Sequence, residues 1–300
     1  MYTKILVPLD GSKTAECILP TVRYLASALT LPVELLTVVE TVGMAASMEA
    51  HKAPDHGMFA GEARRASQSY LERAGQTFPQ GAVISSIETG MPAEIILAKA
   101  AADPSTLIAM ATHGRSGLNR WLLGSVAEKV LRSAHNPLLL IRATDEEKIA
   151  DGKLKSVIVP LDGSGLAEKI LSHVSYLAQR LNLEVHLARA YDLPPDAYLV
   201  GDGLMVSGPA QYREAVHADA QTYIDGKAQQ LQAEGLEQVI ATAIEGDPAS
   251  EIIDLANTMA NGIVAMSTHG RSGIGRWALG SVTEKVIRHG NNPLLVIRPE

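Results

Sequence analysis

The chain has 300 residues, 46 % of them hydrophobic and 4 % aromatic, and a formal net charge of −7 at pH 7. This length suits about two domains with aliphatic cores. The acidic balance gives no support for a nucleic-acid surface, which needs a concentrated basic face, and no apolar run approaches the ~20 residues that cross a bilayer. Because the N-terminus also lacks a signal-peptide pattern, we predict a cytoplasmic protein that contacts neither nucleic acid nor membrane.

The first predicted elements occur twice. A buried-type strand at residues 4–9 ends in a turn that begins at Asp10, and helical spacing follows over residues 14–28. Residues 156–164 repeat the strand and turn, with Asp162 in the place of Asp10. We therefore interpret the chain as a duplication with a period of about half its length, which gives two similar domains rather than a solenoid.

Each half continues with the same succession of elements: a second strand, a surface loop, a polar helix, a third strand and a helix with an early proline. In the first half these cover residues 33–39, 43–61, 62–76, 83–87 and 90 onward, and in the second half 184–191, 192–209, 211–233, 239–244 and 246 onward. Strand, helix and strand with short links predict right-handed parallel units.

A glycine-rich stretch then appears in both halves. Residues 107–110 and 262–266 are short apolar runs, and the sequence THGRSG follows each of them, at residues 112–117 and 268–273. Ser125 and Ser281 then begin segments with helical apolar periodicity. Strand, glycine loop and helix start together predict an anion site, because backbone N–H donors and the positive helix end face the ligand. Ser-x-x-Glu at both helix starts also predicts capping boxes, which would satisfy two donors internally. The two interpretations are compatible.

Each half closes with Asn-Pro and a last strand, at residues 136–142 and 292–298. The charged, aperiodic residues 144–154 form the predicted linker between domains 1–143 and 155–300. Each domain is expected to be α/β, with a five-stranded, mainly parallel sheet and helices on both faces. Ligands of such sheets bind at the carboxyl ends of the strands, which places Asp10, Val38 and the 111–125 loop around one crevice.

These motifs carry a resemblance. PLDGS at residues 8–12, HGRSG at 113–117, GSVAEKV at 124–130 and NPLL at 136–139 resemble a universal stress protein domain, and the likeness covers nearly all of both halves. The chain thus resembles a tandem universal stress protein with two UspA-like domains. The resemblance implies a Rossmann-like, adenine nucleotide alpha hydrolase-like fold for each.

The loop of the family's nucleotide-binding members reads Gly, two residues, Gly, nine residues, then Gly and Ser or Thr. Gly114 and the Gly124-Ser125 pair keep this separation, and the second copy does the same. The first glycine is replaced by Ala111 and Ser267. Both replacements are small and are tolerated if the φ angle there is negative.

The resemblance implies ATP or another adenine nucleotide as ligand, with or without Mg²⁺. The aspartates would lie by the ribose, Val38 and Ala190 against adenine, and the later loop and helix-start residues at the phosphates; added charge from the loop arginines is our own inference. The predicted binding set is Pro8, Asp10, Val38, Ala111, His113, Gly114, Arg115, Gly117, Gly124, Ser125 and Val126 in the first half and Pro160, Asp162, Ala190, Ser267, His269, Gly270, Arg271, Gly273, Gly280, Ser281 and Val282 in the second.

No catalytic residue and no metal site of the protein's own is predicted. The signature Gly-x-x-x-x-Gly-Lys-Ser/Thr is absent, so no lysine is placed to neutralise transferring phosphate. His113 and His269 lack a partnered nucleophile, which favours a loop-fixing hydrogen bond. His51, Asp55 and His56 lie in a predicted loop without ligand spacing. We therefore expect at most weak ATP hydrolysis and, as function, a stress-response regulator or protective factor.

Two alternatives stay open: an interaction protein of this fold without nucleotide sites, with which the Ala111 and Ser267 departures are compatible, and a slow ATPase or nucleotidyl transferase. The apolar closing strands, residues 138–141 and 294–297, predict edge pairing. Domains of this family typically dimerise through this edge, so the resemblance implies a pseudo-dimer of the two domains within the chain. A homodimer of two chains is left as a further alternative.

Overall fold

The computed structural model describes residues 1–40, 56–79, 81–112, 123–142, 152–193, 199–200, 204–205, 209–268, 270 and 279–299. The chain divides into two compact units, Met1–Lys153 and Leu154–Glu300. Most of the predicted linker, residues 144–151, lies outside the described residues. In the described part of the chain no helix is both long and apolar enough to cross a bilayer.

The first unit is a parallel five-stranded sheet in the order β5-β4-β1-β2-β3. Its strands are β1 Lys4–Pro8, β2 Val33–Val39, β3 Val83–Thr89, β4 Thr106–Ala111 and β5 Leu138–Ile141. Its helices are α1 Lys13–Glu16, α2 Leu19–Leu29, α3 His56–Gly75, α4 Pro92–Ala101 and α5 Ser125–Ser133.

The second unit repeats this plan, with the order β12-β11-β6-β7-β10, again parallel. Its strands are β6 Ser156–Pro160, β7 Glu184–Tyr191, β10 Val239–Glu245, β11 Gly262–Ser267 and β12 Leu294–Ile297, with a short hairpin of β8 Leu199–Val200 and β9 Leu204–Met205. Its helices are α6 Gly165–Glu168, α7 Leu171–Leu181, α8 Pro209–Ala233, α9 Pro248–Thr258 and α10 Ser281–His289.

The strand order explains where the helices lie. The chain steps from β1 to β2 to β3 in one direction and then returns to β4 and β5 on the other side of β1. Right-handed crossovers therefore place α1 to α3 on one face of the sheet and α4 and α5 on the other. The predicted duplication and the predicted parallel α/β class are confirmed. The pairing of the two closing strands with each other stays a prediction.

The Asn-Pro motif before each closing strand has a structural role. Asn136 is buried, and its Nδ2 donates to the carbonyl oxygens of Ala100 at 3.1 Å and Asp103 at 2.9 Å. Asn292 Nδ2 likewise donates to the carbonyl of Ala256 at 3.0 Å. The amide group satisfies carbonyls at a helix end, which would otherwise lack partners.

Three predicted elements are corrected, and the first is the helix expected to begin at residue 62, which begins at His56 as α3, inside the predicted loop. The helix expected over residues 14–28 is two helices, α1 and α2, with a break at Cys17 and Ile18. Pro20 lacks the N–H that would extend α1, yet α6 and α7 show the same break without a proline, so proline is not required for it. The loop expected over residues 192–209 contains the β8–β9 hairpin.

Candidate functional site

The winding direction reverses between β1 and β4 in the first unit and between β6 and β11 in the second. Pro8 and Ala111 end the first pair of strands, and Pro160 and Ser267 end the second. Each pair is adjacent and parallel, so its carboxyl ends open on the same side. This is the edge at which open parallel sheets bind ligands.

Backbone hydrogen bonds close the base of each glycine loop. The N–H of Gly124 donates to the carbonyl of Thr112 at 2.8 Å, and the N–H of Gly280 donates to the carbonyl of Thr268 at 2.8 Å. The helix starts are thereby held against the strand ends. The predicted site residues His113, Gly114, Arg115, Gly117, His269, Arg271 and Gly273 lie outside the described residues, as do His51 and Asp55.

The helix starts differ from the prediction. Gly124 and Gly280 are the N-cap residues, without a side-chain cap bond, so Ser125 and Ser281 are the first helical residues. The predicted capping boxes are therefore wrong, because the serine is one position too late to cap. Both serines are exposed. Glu128, expected to reach back to the cap, instead accepts from Arg132 Nε at 3.1 Å.

Neither helix start has a side-chain cap among the described residues. Within the described chain, no hydrogen bond is recorded for the first-turn N–H groups of Ser125 and Val126, nor for those of Ser281 and Val282. These groups carry the partial positive charge of the helix end. Each helix has nine residues, long enough for that charge to develop.

Asp10 and Asp162 follow the first strand of each unit and are half-buried. Oδ1 of Asp10 accepts from the N–H of Ser12 at 2.9 Å, and Ser12 Oγ in turn accepts from the N–H of Ala15 at 3.1 Å. Oδ1 of Asp162 accepts from the N–H of Ser164 at 2.9 Å. One oxygen of each carboxylate thus supports a turn and the N-cap of the next helix.

The other oxygen of Asp162 lies against the glycine loop. A Cβ atom placed on Gly270 would stand 2.0 Å from Asp162 Oδ2 and 3.0 Å from its Cγ. A side chain at position 270 would fit only if the Asp162 carboxylate moved. This contact brings together an aspartate at the end of β6 and a glycine after β11, two of the positions that the sequence predicted for one site.

The two departures from the family's loop pattern are accommodated in extended strand. Ala111 and Ser267 end β4 and β11, and neither has a positive φ angle. Both are buried. Ser267 Oγ donates to the carbonyl of Leu166 at 2.9 Å. This hydroxyl therefore fixes α6 to β11.

At the ends of the second strands, Val38 and Ala190 are half-buried apolar residues. One residue earlier the units diverge. In the first unit Thr37 is buried and its Oγ1 donates to the carbonyl of Leu9 at 3.0 Å. In the second unit the guanidinium carbon of Arg189 lies 4.5 Å from the centre of the Tyr223 ring, a cation–π contact.

Tyr223 belongs to a cluster that joins α6 to α8, and sequence reasoning missed it. Tyr223 Oη donates to Glu168 Oε1 at 2.8 Å, and Lys227 Nζ donates to Glu168 Oε2 at 2.7 Å. Burial alone would raise the pKa of Glu168, but the bonds from Lys227 and Tyr223 lower it. Burial and the Glu168 carboxylate raise the pKa of Tyr223. The only signal in the sequence was the i, i+4 spacing of the tyrosine and the lysine.

With the geometry established, comparison with known proteins gives the class. The model of the universal stress protein family matches residues 1–142 and 153–298. The chain therefore belongs to the universal stress protein family, as a tandem member with two copies of the domain.

Among its relatives is Universal stress protein E of Escherichia coli K12, which is 28 % identical over 215 residues; the match spans 70 % of this chain and 66 % of that protein. Universal stress protein MJ0531 of Methanocaldococcus jannaschii is 27 % identical over 146 residues, 48 % of this chain and 82 % of that protein. The crystal structure of a universal stress protein from Archaeoglobus fulgidus superposes with a TM-score of 0.69 at 19 % identity, covering 98 % of both chains. At that identity the likeness shows the fold.

Proposed function

We propose that each unit binds ATP or a related adenine nucleotide at the carboxyl ends of its strands, and that the protein acts in the cytoplasm as a stress-response regulator or protective factor. One observation carries the proposal. In both units a helix without a side-chain N-cap begins beside the end of a buried strand, and an aspartate lies two residues after the end of the neighbouring strand.

The helix starts suit the phosphates. The first-turn N–H groups and the positive end of the helix dipole favour an anion. Ser125 and Ser281 are exposed at these starts, and each hydroxyl adds a donor. Glycines at the N-cap let a phosphate approach the backbone closely, since they present no side chain.

The aspartates suit the ribose. Ribose hydroxyl groups donate hydrogen bonds, and carboxylate oxygens accept them. In the second unit the Asp162 carboxylate and Gly270 are in contact, so a sugar beside the aspartate would also lie next to the glycine loop. The half-buried Val38 and Ala190 offer apolar surface to the base.

The same residues argue against efficient phosphoryl transfer, because none of them is a lysine at the helix start. The described chain also contains no group of three or more His, Cys, Asp or Glu residues able to hold a metal ion. A Mg²⁺ ion would therefore be held mainly by the phosphates. Nucleotide would act as an effector, through its different affinity for two states of the protein.

Titration with ATP tests the proposal. The double variant Ser125→Glu, Ser281→Glu places a negative charge at each helix start. This charge interacts favourably with the positive end of the helix dipole, so the fold should be preserved. We expect ATP binding to weaken by about tenfold or more, through repulsion of the phosphates. The matched variant Ser125→Gln, Ser281→Gln has similar size and no charge, and should bind nearly as the wild type does.

The outcomes separate the alternatives. If the wild type gives no binding at millimolar ATP, the interaction-protein alternative is correct. If phosphate is released well above background and Asp10→Ala or Asp162→Ala abolishes the release, the protein is a slow ATPase. Equal affinities of the glutamate and glutamine variants would place the phosphates elsewhere.

A further inference from the structure

A groove of the first unit lies between the α1–α2 segment and the C-terminal half of α3, and the predicted nucleotide residues do not line it. Its volume is about 380 Å³, which is within the range of small-molecule sites. The groove is lined by Glu16, Leu19, Pro20, Arg23, Tyr70, Arg73, Ala74 and Thr77.

Three charged side chains face this groove without compensating one another. Arg23 is half-buried, Arg73 is exposed and Glu16 is half-buried. In the described part of the chain none of the three side chains has an ion pair within 4.0 Å or a hydrogen bond. Two guanidinium groups and one carboxylate give the groove a net charge of +1.

The second unit fills the same place with its own bonds. Glu168 holds the position of Glu16, since both follow an alanine that is bonded to the N-cap serine, and Glu168 is paired with Lys227 at 2.7 Å. Ser175 holds the position of Arg23, one residue before the repeated Tyr-Leu-Ala. Its Oγ donates to Glu234 Oε2 at 2.9 Å.

Further along α7, Gln179 Nε2 donates to the carbonyl of Glu234 at 3.0 Å. The gap between α7 and the end of α8 is therefore bridged by the protein itself. The duplication thus provides an internal comparison: among the residues that the structure describes, side-chain bonds bridge this gap in the second copy, and no such bond bridges it in the first.

We propose that the groove of the first unit binds a small phosphate monoester that carries hydroxyl groups, the class of a sugar phosphate. Guanidinium groups present paired N–H donors that match phosphate oxygens, and Arg23 and Arg73 approach from different helices. The Glu16 carboxylate accepts hydrogen bonds from hydroxyl groups. Leu19, Ala74 and the ring of Tyr70 offer the apolar surface against which a sugar ring packs.

The charge balance sets the selectivity. Inorganic phosphate has no sugar hydroxyl groups to donate hydrogen bonds to Glu16, and the Glu16 carboxylate repels its negative charge. A neutral sugar loses both guanidinium contacts. The expected order of affinity is glucose 6-phosphate, then inorganic phosphate, then glucose. This site does not depend on the proposed nucleotide function, because none of its residues belongs to the nucleotide set.

Isothermal titration of the full chain with these three probes tests the proposal. Arg23→Ala and Arg73→Ala should each weaken glucose 6-phosphate binding by about tenfold or more, the loss expected for a charge-assisted hydrogen bond. Arg65→Ala, on an exposed position of α3 that does not line the groove, is the matched control and should bind as the wild type does. Glu16→Gln should raise the affinity for inorganic phosphate.

Three results would overturn the proposal: no heat with millimolar glucose 6-phosphate, equal affinities of Arg23→Ala, Arg73→Ala and wild type, or equal affinities for the sugar phosphate and the sugar. Parallel titration with ATP keeps the two proposals distinguishable. Arg23→Ala should leave ATP binding unchanged, and ATP should not displace glucose 6-phosphate.

Discussion

At the scale of single residues, Gly270 shows why the loop needs a glycine. The reason is not its dihedral angle, which lies outside the positive range typical of glycine, but the Asp162 carboxylate that occupies the space of a side chain. Here the choice of glycine is determined by a charged group that packs against the backbone.

Gly270→Ala should therefore lower the free energy of unfolding by about 1–3 kcal/mol, the usual cost of overpacking. Adding Asp162→Ala removes the clashing oxygen, so the double variant should be more stable than the sum of the two single changes predicts. Urea unfolding of the four proteins measures this coupling.

Gly226→Ala is the control for that series. Gly226 lies on an exposed position of α8 with no atom within 4 Å of its missing Cβ, so alanine should stabilise the protein by about 0.5–1 kcal/mol. If Gly270→Ala stabilised the protein as well, the contact with Asp162 would not be a constraint.

A second residue, Glu34 on β2, gathers several partners. It accepts from Lys4 Nζ at 2.7 Å, Lys99 Nζ at 3.0 Å and Ser86 Oγ at 2.8 Å. Burial alone would raise the pKa of Glu34, but these hydrogen bonds lower it from 4.5 to about 2. Because the folded-state pKa is the lower one, the ionised group stabilises the fold above pH 4.5, and this stability is lost as the pH falls toward 2.

Glu34→Gln should thus lower the free energy of unfolding at pH 7 by about 2 kcal/mol, after a discount for solvent screening. The difference from wild type should shrink as the pH falls from 5 toward 3. Urea unfolding at several pH values checks this. Glu62→Gln, on an exposed position of α3, removes the same charge and should show little difference at any pH; a constant loss for Glu34→Gln would contradict the interpretation.

At the scale of elements, the short helices α1 and α6 are equivalent in sequence and differ in anchoring. Both begin at an N-cap serine whose Oγ accepts from the backbone 3.1 Å away. Glu168 ties α6 to the long helix of its unit through Tyr223 and Lys227, and among the described residues α1 has no such side-chain bond to α3. Asp162 lies just before α6, so the tether supports the turn that holds the proposed ribose-binding aspartate.

Glu168→Gln should therefore lower the free energy of unfolding by about 1–2 kcal/mol, since it removes a charged partner of Lys227. Glu16→Gln is the matched control in α1 and should change it by less than about 0.5 kcal/mol. Thermal unfolding at neutral pH compares the two variants. Equal losses would mean that the tether adds nothing beyond the helix itself.

At the scale of the whole molecule, the duplication has kept the two helix starts and aspartates while the surrounding walls have diverged. Thr37 and Arg189 occupy equivalent positions, one bonded to a backbone carbonyl and the other placed over Tyr223. The shared parts predict two nucleotide sites, and the divergent parts predict that their affinities differ.

Equilibrium dialysis should thus give two bound ATP molecules per chain at saturation. Ser125→Glu alone and Ser281→Glu alone should each weaken one site by about tenfold or more and leave the other unchanged, because each changes a single helix start. The remaining sites should differ in affinity. A wild-type stoichiometry of one, or loss of both sites from one substitution, would show that the halves do not act as separate sites.

The elements that sequence reasoning predicted well are those with a strong local pattern. The apolar runs of β4 and β5 and the proline at the start of α4 define their elements without reference to distant residues. The capping-box prediction failed because the helix start is fixed by a bond between Gly124 and Thr112 across the loop. That bond moves the N-cap one residue ahead of the serine.

The sequence by itself determined the duplication, the alternation of strands and helices, and the presence of small and acidic residues at the strand ends, because spacing within a few turns or strands specifies these features. Only the tertiary structure decided that Gly270 meets Asp162, that Glu168 pairs with Lys227 59 residues later, and that Arg189 lies over Tyr223. Such contacts depend on which elements the strand order brings together, and no local sequence pattern specifies which distant elements become neighbours.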